Sequence, residues 1–181
     1  MRIQSGSARG RKLVVPVGTI TRPTTDRARE AVFNSLFSAG GVEDATVLDL
    51  FAGSGAMGLE ALSRGAAHAT FVETNRQALD VIQENIATLG FADRATIVTF
   101  DAVRYIASAS AFDVVICDPP YDFDGWDELL SCISSELLVV ESDRPVELGP
   151  RWESFKQGQY AATVVEIARL VQPSIAPESQ K

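Results

Sequence analysis

The sequence predicts an α/β domain built on a doubly wound, mostly parallel sheet of seven strands, with a small N-terminal β-hairpin extension. Three observations predict it. Short runs that are apolar on both faces alternate with amphipathic segments, the pattern of parallel strands covered by helices on either side. The first complete strand-to-helix passage, TVLDLFAGSGAMG at Thr46 to Gly58, stops in a glycine-rich turn, where Gly53 and Gly55 allow close backbone approach to a ligand. Each of the first four strands then finishes in or beside a carboxylate: Asp49, Glu73, Asp101 and Asp118.

Along the chain, Arg2 to Gln4 and Lys12 to Val15 read as two short strands around an Arg-rich loop, SGSARG. Thr24 or Thr25 is a suitable N-cap for a helix reaching Ser38, with Ala28, Val32, Phe33, Leu36 and Phe37 on one face. Strands are expected over Thr46 to Phe51, Ala69 to Val72, Ala95 to Phe100, Phe112 to Cys117 and 137–141. Helices are expected between them, over Met57 to Arg64, 75–89, 102–109 and 125–135. The runs 152–159 and 163–170 leave no room for a helix between them, so they are expected to pair antiparallel at the sheet edge. The division expected is 1–20 as the basic extension, 21–172 as the main domain and 173–181 as a disordered tail.

Composition narrows the function. The 181 residues form a chain long enough for one domain with a full core. No apolar run is long enough to cross a bilayer and the N-terminus lacks a signal-peptide segment, so the protein is expected in the cytoplasm, without a membrane partner. Two cysteines, Cys117 and Cys132, and one histidine, His68, give neither a disulfide framework nor a zinc site; no metal is expected. The net charge of −8 conceals an asymmetry. Residues 1–30 hold seven basic side chains against two acidic ones, a balance of +5, which leaves −13 for the remainder. Such a patch neutralises phosphates locally, because screening confines distant charges to a Debye length of roughly 8–10 Å.

The four carboxylates lie along one edge of a parallel sheet, where ligands bind at the point of strand-order reversal. Gly53 to Gly58 also satisfies the dinucleotide pattern G-x-G-x-x-G, a weak signal by itself. Glu73 stands 18 residues beyond Gly55, close to the ~20 expected of an acid that binds ribose hydroxyls. Asp101 suits an adenine amino group. Asp49 lies where a dinucleotide enzyme has an apolar residue; an acid repels pyrophosphate but welcomes the ammonium of an amino acid, which points to S-adenosyl-L-methionine as cofactor. Asp118-Pro119-Pro120-Tyr121 suits an exocyclic amino group of a base. The carboxylate and the Pro119 carbonyl accept its two hydrogens, aim its lone pair at a methyl donor, and leave Tyr121 to stack on the ring.

Asp-Pro-Pro-Tyr after the fourth strand with DLFAGSG after the first resembles the Rossmann-like amino-methyltransferases that use S-adenosylmethionine. RGRKL at 9–13, RPTTDRARE at 22–30, FNSL at 33–36, DLFAGSGAMGLEALSRGA at 49–66 and FVE at 71–73 resemble the bacterial 16S ribosomal RNA (guanine(966)-N(2))-methyltransferases, the RsmD family, from Arg2 to about Leu170. The resemblance implies a class I methyltransferase acting on a guanine of 16S ribosomal RNA in the small ribosomal subunit or an assembly intermediate, as a monomer. It implies cofactor contacts at Asp49, Ala52, Gly53, Ser54, Gly55, Glu73, Thr74, Asp101 and Ala102, and catalysis at Asp118, Pro119, Pro120 and Tyr121. RNA contacts are expected at Arg9, Arg11, Lys12, Arg22, Thr25, Arg27 and Arg29. One departure stands out: the family usually has Tyr-Gly-Asp/Gln-Thr where this chain has Tyr160-Ala161-Ala162-Thr163. Two other readings remain: adenine N6 of DNA as substrate, and an NAD-dependent oxidoreductase or inactive nucleotide-binding module.

Overall fold

A computed structural model describes residues 1–16 and 26–171. The expected N-cap at Thr24 or Thr25, the RNA contacts Arg22 and Thr25, the 20/21 boundary and the 173–181 tail lie outside the described residues. The elements, in order, are α1 (Asp26–Ser38), β1 (Thr46–Leu50), α2 (Ala56–Ser63), β2 (His68–Glu73), α3 (Arg76–Leu89), β3 (Ala95–Thr99), α4 (Ala102–Ile106), β4 (Phe112–Cys117), α5 (Trp126–Cys132), β5 (Ser135–Ser142), β6 (Trp152–Tyr160) and β7 (Thr163–Leu170), with a 3₁₀ turn at Ala92–Arg94 before β3. The strands form one seven-stranded sheet in the order β3-β2-β1-β4-β5-β7-β6. The first five are parallel. β7 runs antiparallel to β5, and β6 antiparallel to β7.

Side-chain alternation explains this order. Along β1 and β4, Val47, Val114 and Ile116 face one apolar cluster with α1, α2 and α3, while Leu48, Leu50, Val115 and Cys117 face a second with α4 and α5. β7 is likewise apolar on both faces, with Val165 and Ile167 in the first cluster and Ala168 in the second, so it takes the inner place beside β5. β6 carries Glu153, Ser154, Lys156, Gln157 and Gln159 and is mostly exposed, which suits the outer edge.

The β6–β7 hairpin turns through Ala161-Ala162, with Tyr160 opposite Thr163. Ala161 sits at φ +59°, a conformation that a two-residue hairpin turn ordinarily assigns to glycine. Ala161→Gly is therefore expected to raise stability by roughly 1 kcal/mol by removing the Cβ clash. In a domain of this size that is a rise of about 2–4 °C in Tm by thermal denaturation; an unchanged or lower Tm contradicts the strain argument.

The N-terminal arm folds back on itself in a reduced form of the expected hairpin: one antiparallel bridge, Arg2 to Lys12, flanked by backbone bonds from the Ile3 N–H to the Arg11 carbonyl at 3.0 Å, the Gly10 N–H to the Ile3 carbonyl at 2.8 Å and the Leu13 N–H to the Met1 carbonyl at 3.2 Å. Side chains of the domain take further hydrogen bonds from its backbone. The Glu60 carboxylate accepts from the Gln4 and Ser5 N–H groups at 2.8 and 3.0 Å, the Ser63 hydroxyl accepts from the Ala8 N–H at 3.0 Å, and the Asn85 amide bonds both polar groups of the Val14 backbone. Ile3, Ala8 and Leu13 are buried in the same apolar cluster as α1, α2 and α3.

Candidate active site

β1 ends at the switch point, where the chain goes first to β2 and β3 on one side and later to β4 and β5 on the other. The turn leaving it is tightly built. Phe51 adopts φ +62°, costly for an aromatic residue by roughly 1–2 kcal/mol. Gly53 and Gly55 follow at φ +55° and +75°. The buried Ala52 donates its N–H to the Val72 carbonyl at 3.0 Å, tying the turn to β2. Gly58, the third glycine of the motif, serves close packing: a Cβ there would lie 2.4 Å from the Phe71 ring of β2.

The carboxylates expected at this edge are held there by backbone N–H groups. Glu73 accepts from the Gly53 N–H at 2.9 Å through Oε2 and from the Thr74 and Asn75 N–H groups at 2.7 and 2.8 Å through Oε1. One acid thus joins the glycine turn to the start of α3. Asp101 caps α4 by accepting from the Arg104 N–H at 2.9 Å, with Ala102 buried behind it. Asp49 is 1% exposed and accepts from the Gly58 N–H at 2.9 Å. Burial pushes its carboxyl up to about 8; the Gly58 N–H opposes the rise, while the Asp118 and Glu73 carboxylates add to it. Burial also raises the neighbouring Cys117 thiol, with Asp49 and Asp118 adding, so the thiol stays protonated and chemically inert.

The loop after β4 completes the edge. Asp118 is half-buried, Pro119 buried, Pro120 exposed, and Tyr121 is 41% exposed with its hydroxyl 3.4 Å from the Thr163 hydroxyl at the start of β7. The Phe123 N–H closes the turn on the Pro120 carbonyl at 2.9 Å. The Phe123 ring meets Phe51 edge-on at 5.4 Å and Trp126 at 5.3 Å, so the loop touches the glycine turn directly. Asp49, Ala52, Gly53, Ser54, Gly55, Glu73 and Thr74 sit at or beside the ends of adjacent strands, with Asp101 and Ala102 after β3 and Asp118, Pro119, Pro120 and Tyr121 after β4. This donor set fits a nucleoside bearing a cationic amino acid: carboxylates face the ligand edge, and the first acid lies where a pyrophosphate would need a cation.

The basic residues divide. Arg9, Lys12 and Arg27 are exposed. Arg11 donates to the Thr88 carbonyl at 2.7 Å, in the last turn of α3. Arg29 departs from its expected RNA role: it is fully buried, bonded to Asp26 at 2.8 Å and to the Arg2 carbonyl, with the Glu60 carboxylate 3.5 Å away. Its guanidinium is part of the frame and is closed to phosphate.

Three polar residues escaped sequence reasoning. Glu60, fully buried on α2, looks in the sequence like an ordinary helical acid, yet it binds the arm, Arg29 and, at 2.8 Å, Arg64. Asn85, 1% exposed on α3, donates to the Ser54 carbonyl at 3.1 Å as well as gripping Val14, so it links the arm to the glycine turn. A polar residue beside Ile82 and Ile86 on the apolar side of α3 was the available signal. Arg144, just after β5, donates to the Tyr121 carbonyl at 3.0 Å and the Phe123 carbonyl at 3.1 Å; nothing in its local sequence marks it.

The chain is similar to several known proteins. The solved structure of the Escherichia coli protein yhhF superposes with a TM-score of 0.83 at 36% identity, covering 94% of this chain and 97% of that one. Residues 1–169 match the family described as Conserved hypothetical protein 95. Ribosomal RNA small subunit methyltransferase D of Escherichia coli (strain K12) is 43% identical over 152 residues, 76% of this chain and 75% of that protein. The Haemophilus influenzae protein of the same name is 33% identical over 170 residues, 87% of each chain. The class is therefore that of the class I methyltransferases. Within it, this chain belongs to the ribosomal RNA small subunit methyltransferase D family, the RsmD type.

Proposed function

We propose that the protein transfers a methyl group from S-adenosyl-L-methionine to the exocyclic N2 amino group of a guanine in 16S ribosomal RNA, acting in the cytoplasm as a monomer on the small subunit or an assembly intermediate. The observation that carries this reading is the Asp118-Pro119-Pro120-Tyr121 loop beside the glycine turn, held on the same sheet edge as Glu73 and Asp49. The cofactor supplies a methyl on a sulfonium, an electrophile that needs no metal. Glu73 and Asp101 are assigned to its ribose and adenine, Asp49 to its ammonium. Asp118 and the Pro119 carbonyl accept the two amino hydrogens, which disfavours delocalisation of the lone pair into the ring. The nitrogen lone pair forms the N–C bond, the C–S bond breaks with its pair on sulfur, and the proton passes to Asp118 or water. Tyr121 offers its exposed ring to the base face.

Transfer of tritium from methyl-labelled S-adenosylmethionine tests the reading. Label is expected in ribosomal RNA of the small subunit and, after digestion to nucleosides, in N2-methylguanosine. Label in N6-methyladenine of DNA, or in no nucleic acid, overturns it.

The exposed basic side chains give a second test. Replacing Arg9 and Lys12 together with Gln is expected to weaken RNA binding and to lower the slope of log K against log salt by about 0.7–0.9 per lost phosphate contact. Cofactor affinity should stay the same. Deleting the arm is less informative, because Ile3, Ala8 and Leu13 belong to the core. An unchanged salt slope removes Arg9 and Lys12 from the RNA interface.

A further inference from the structure

We propose that Arg144 is a positioning residue for methyl transfer, a latch that holds the base-binding loop in its receiving conformation; this deepens the methyltransferase reading and rests on it. The loop from Asp118 to Gly125 has no regular secondary structure, and prolines fix only two of its φ angles. Within it the Phe123 N–H closes on the Pro120 carbonyl, while the Tyr121 and Phe123 carbonyls take a donor from elsewhere. Arg144 supplies one from the segment after β5: Nη1 donates to the Tyr121 carbonyl at 3.0 Å and Nη2 to the Phe123 carbonyl at 3.1 Å. Asp143 binds Nη1 at 2.8 Å and orients the guanidinium.

The two carbonyls belong to the residues whose rings the proposal turns on. Tyr121 is thereby held at both ends, its carbonyl by Arg144 and its hydroxyl near Thr163, so the ring offered to the base is placed by the segment after β5 and the start of β7 together. Fixing the Phe123 carbonyl fixes the ring that packs between Phe51 and Trp126, and Phe51 belongs to the strained turn beside the cofactor site. One guanidinium therefore sets the base side of the site against the cofactor side. The loop and the first turn of α5 are also rich in carboxylates, with Asp122, Asp124, Asp127 and Glu128 all exposed, so a cation on the loop backbone opposes their mutual repulsion. Lysine cannot replace this arrangement, because an ammonium lacks the planar fork that reaches two carbonyls at fixed separation.

The test compares the full-length wild type with Arg144→Ala and Arg144→Lys. The Arg144 side chain is 51% exposed, so both variants should fold. Single-turnover transfer to small ribosomal subunits at saturating S-adenosylmethionine is expected to fall 10- to 100-fold in Arg144→Ala. Affinities for S-adenosylhomocysteine and for the subunit should stay within twofold. Arg144→Lys should remain nearer Ala than wild type, and added methylguanidine should restore at least fivefold of the lost rate to Arg144→Ala. Trp126, packed on Phe123, reports the loop without any turnover: acrylamide quenching should increase in both variants, while the buried Trp152 contributes a constant background. Transfer by Arg144→Ala within twofold of wild type overturns the proposal. So does a defect confined to subunit binding with a shallower salt slope, which would make Arg144 a phosphate contact. If wild type labels no ribosomal RNA, the functional reading fails by itself, and unchanged Trp126 quenching in the variants would separately remove the latch.

Discussion

Asp118→Asn is expected to lower single-turnover methyl transfer by about 10²–10³, the range for losing one electrostatic contact made in the transition state. Asparagine keeps the size and one acceptor oxygen, so the half-buried site at the end of β4 should stay packed. What it loses is the negative charge facing a nitrogen that becomes positive as the N–C bond forms. Cofactor affinity should change little, because Asp118 is assigned to the base and Glu73 to the ribose. The measurement is transfer from labelled S-adenosylmethionine with enzyme in excess over subunits, alongside calorimetric titration of S-adenosylhomocysteine. A near wild-type rate removes Asp118 from the role of hydrogen acceptor. A lost cofactor affinity would place it in the cofactor site instead.

The parts of this site that were legible in the sequence are those whose chemistry is local. A doubly apolar run followed by G-x-G, an acid after each strand and a rigid Asp-Pro-Pro-Tyr turn each carry their meaning within a few residues, and the sheet brings them to one edge. The antiparallel pairing of β6 and β7 was legible for a similar reason: the runs 152–159 and 163–170 leave no room for a helix between them, and the structure joins them by a two-residue turn. The fold-back of the arm was legible from its short runs flanked by glycine, but what docks it was not: those partners lie 55 to 71 residues away, at Glu60, Ser63 and Asn85. Arg29 was misread through charge counting. A guanidinium among basic neighbours reads as solvent-facing until the buried Glu60 is known to sit opposite it. Arg144 acts entirely through distant carbonyls, and backbone acceptors leave no residue-type signature.

Asp49 should make both folding and cofactor binding depend on pH in a way that Asp49→Asn abolishes. Its folded-state pKa, raised from 3.8 to about 8 chiefly by burial, means that between these values the native protein holds a proton that the unfolded chain has released. Stability from this group is therefore full below the unfolded value near 4, falls as pH rises through the window, and has been lost above about 8. Asparagine carries no charge and can still accept from the Gly58 N–H, so Asp49→Asn should be the more stable protein at pH 8 by on the order of a few kcal/mol. The advantage should shrink steadily toward pH 4, as read from denaturant unfolding of both proteins at matched ionic strength. The proposed cofactor should reverse the preference. An ammonium placed at Asp49 would favour the carboxylate, so binding below pH 8 should expel the Asp49 proton, and affinity should climb by up to about tenfold per pH unit until it levels near 8. Calorimetry in buffers of different ionisation enthalpy should register close to one proton released at pH 6–7 by wild type and none by Asp49→Asn, whose affinity should be weaker and flat across the range. Parallel pH profiles for the two proteins, in stability or in binding, would show that the buried carboxyl at the head of the glycine turn neither holds the proton nor meets the ammonium.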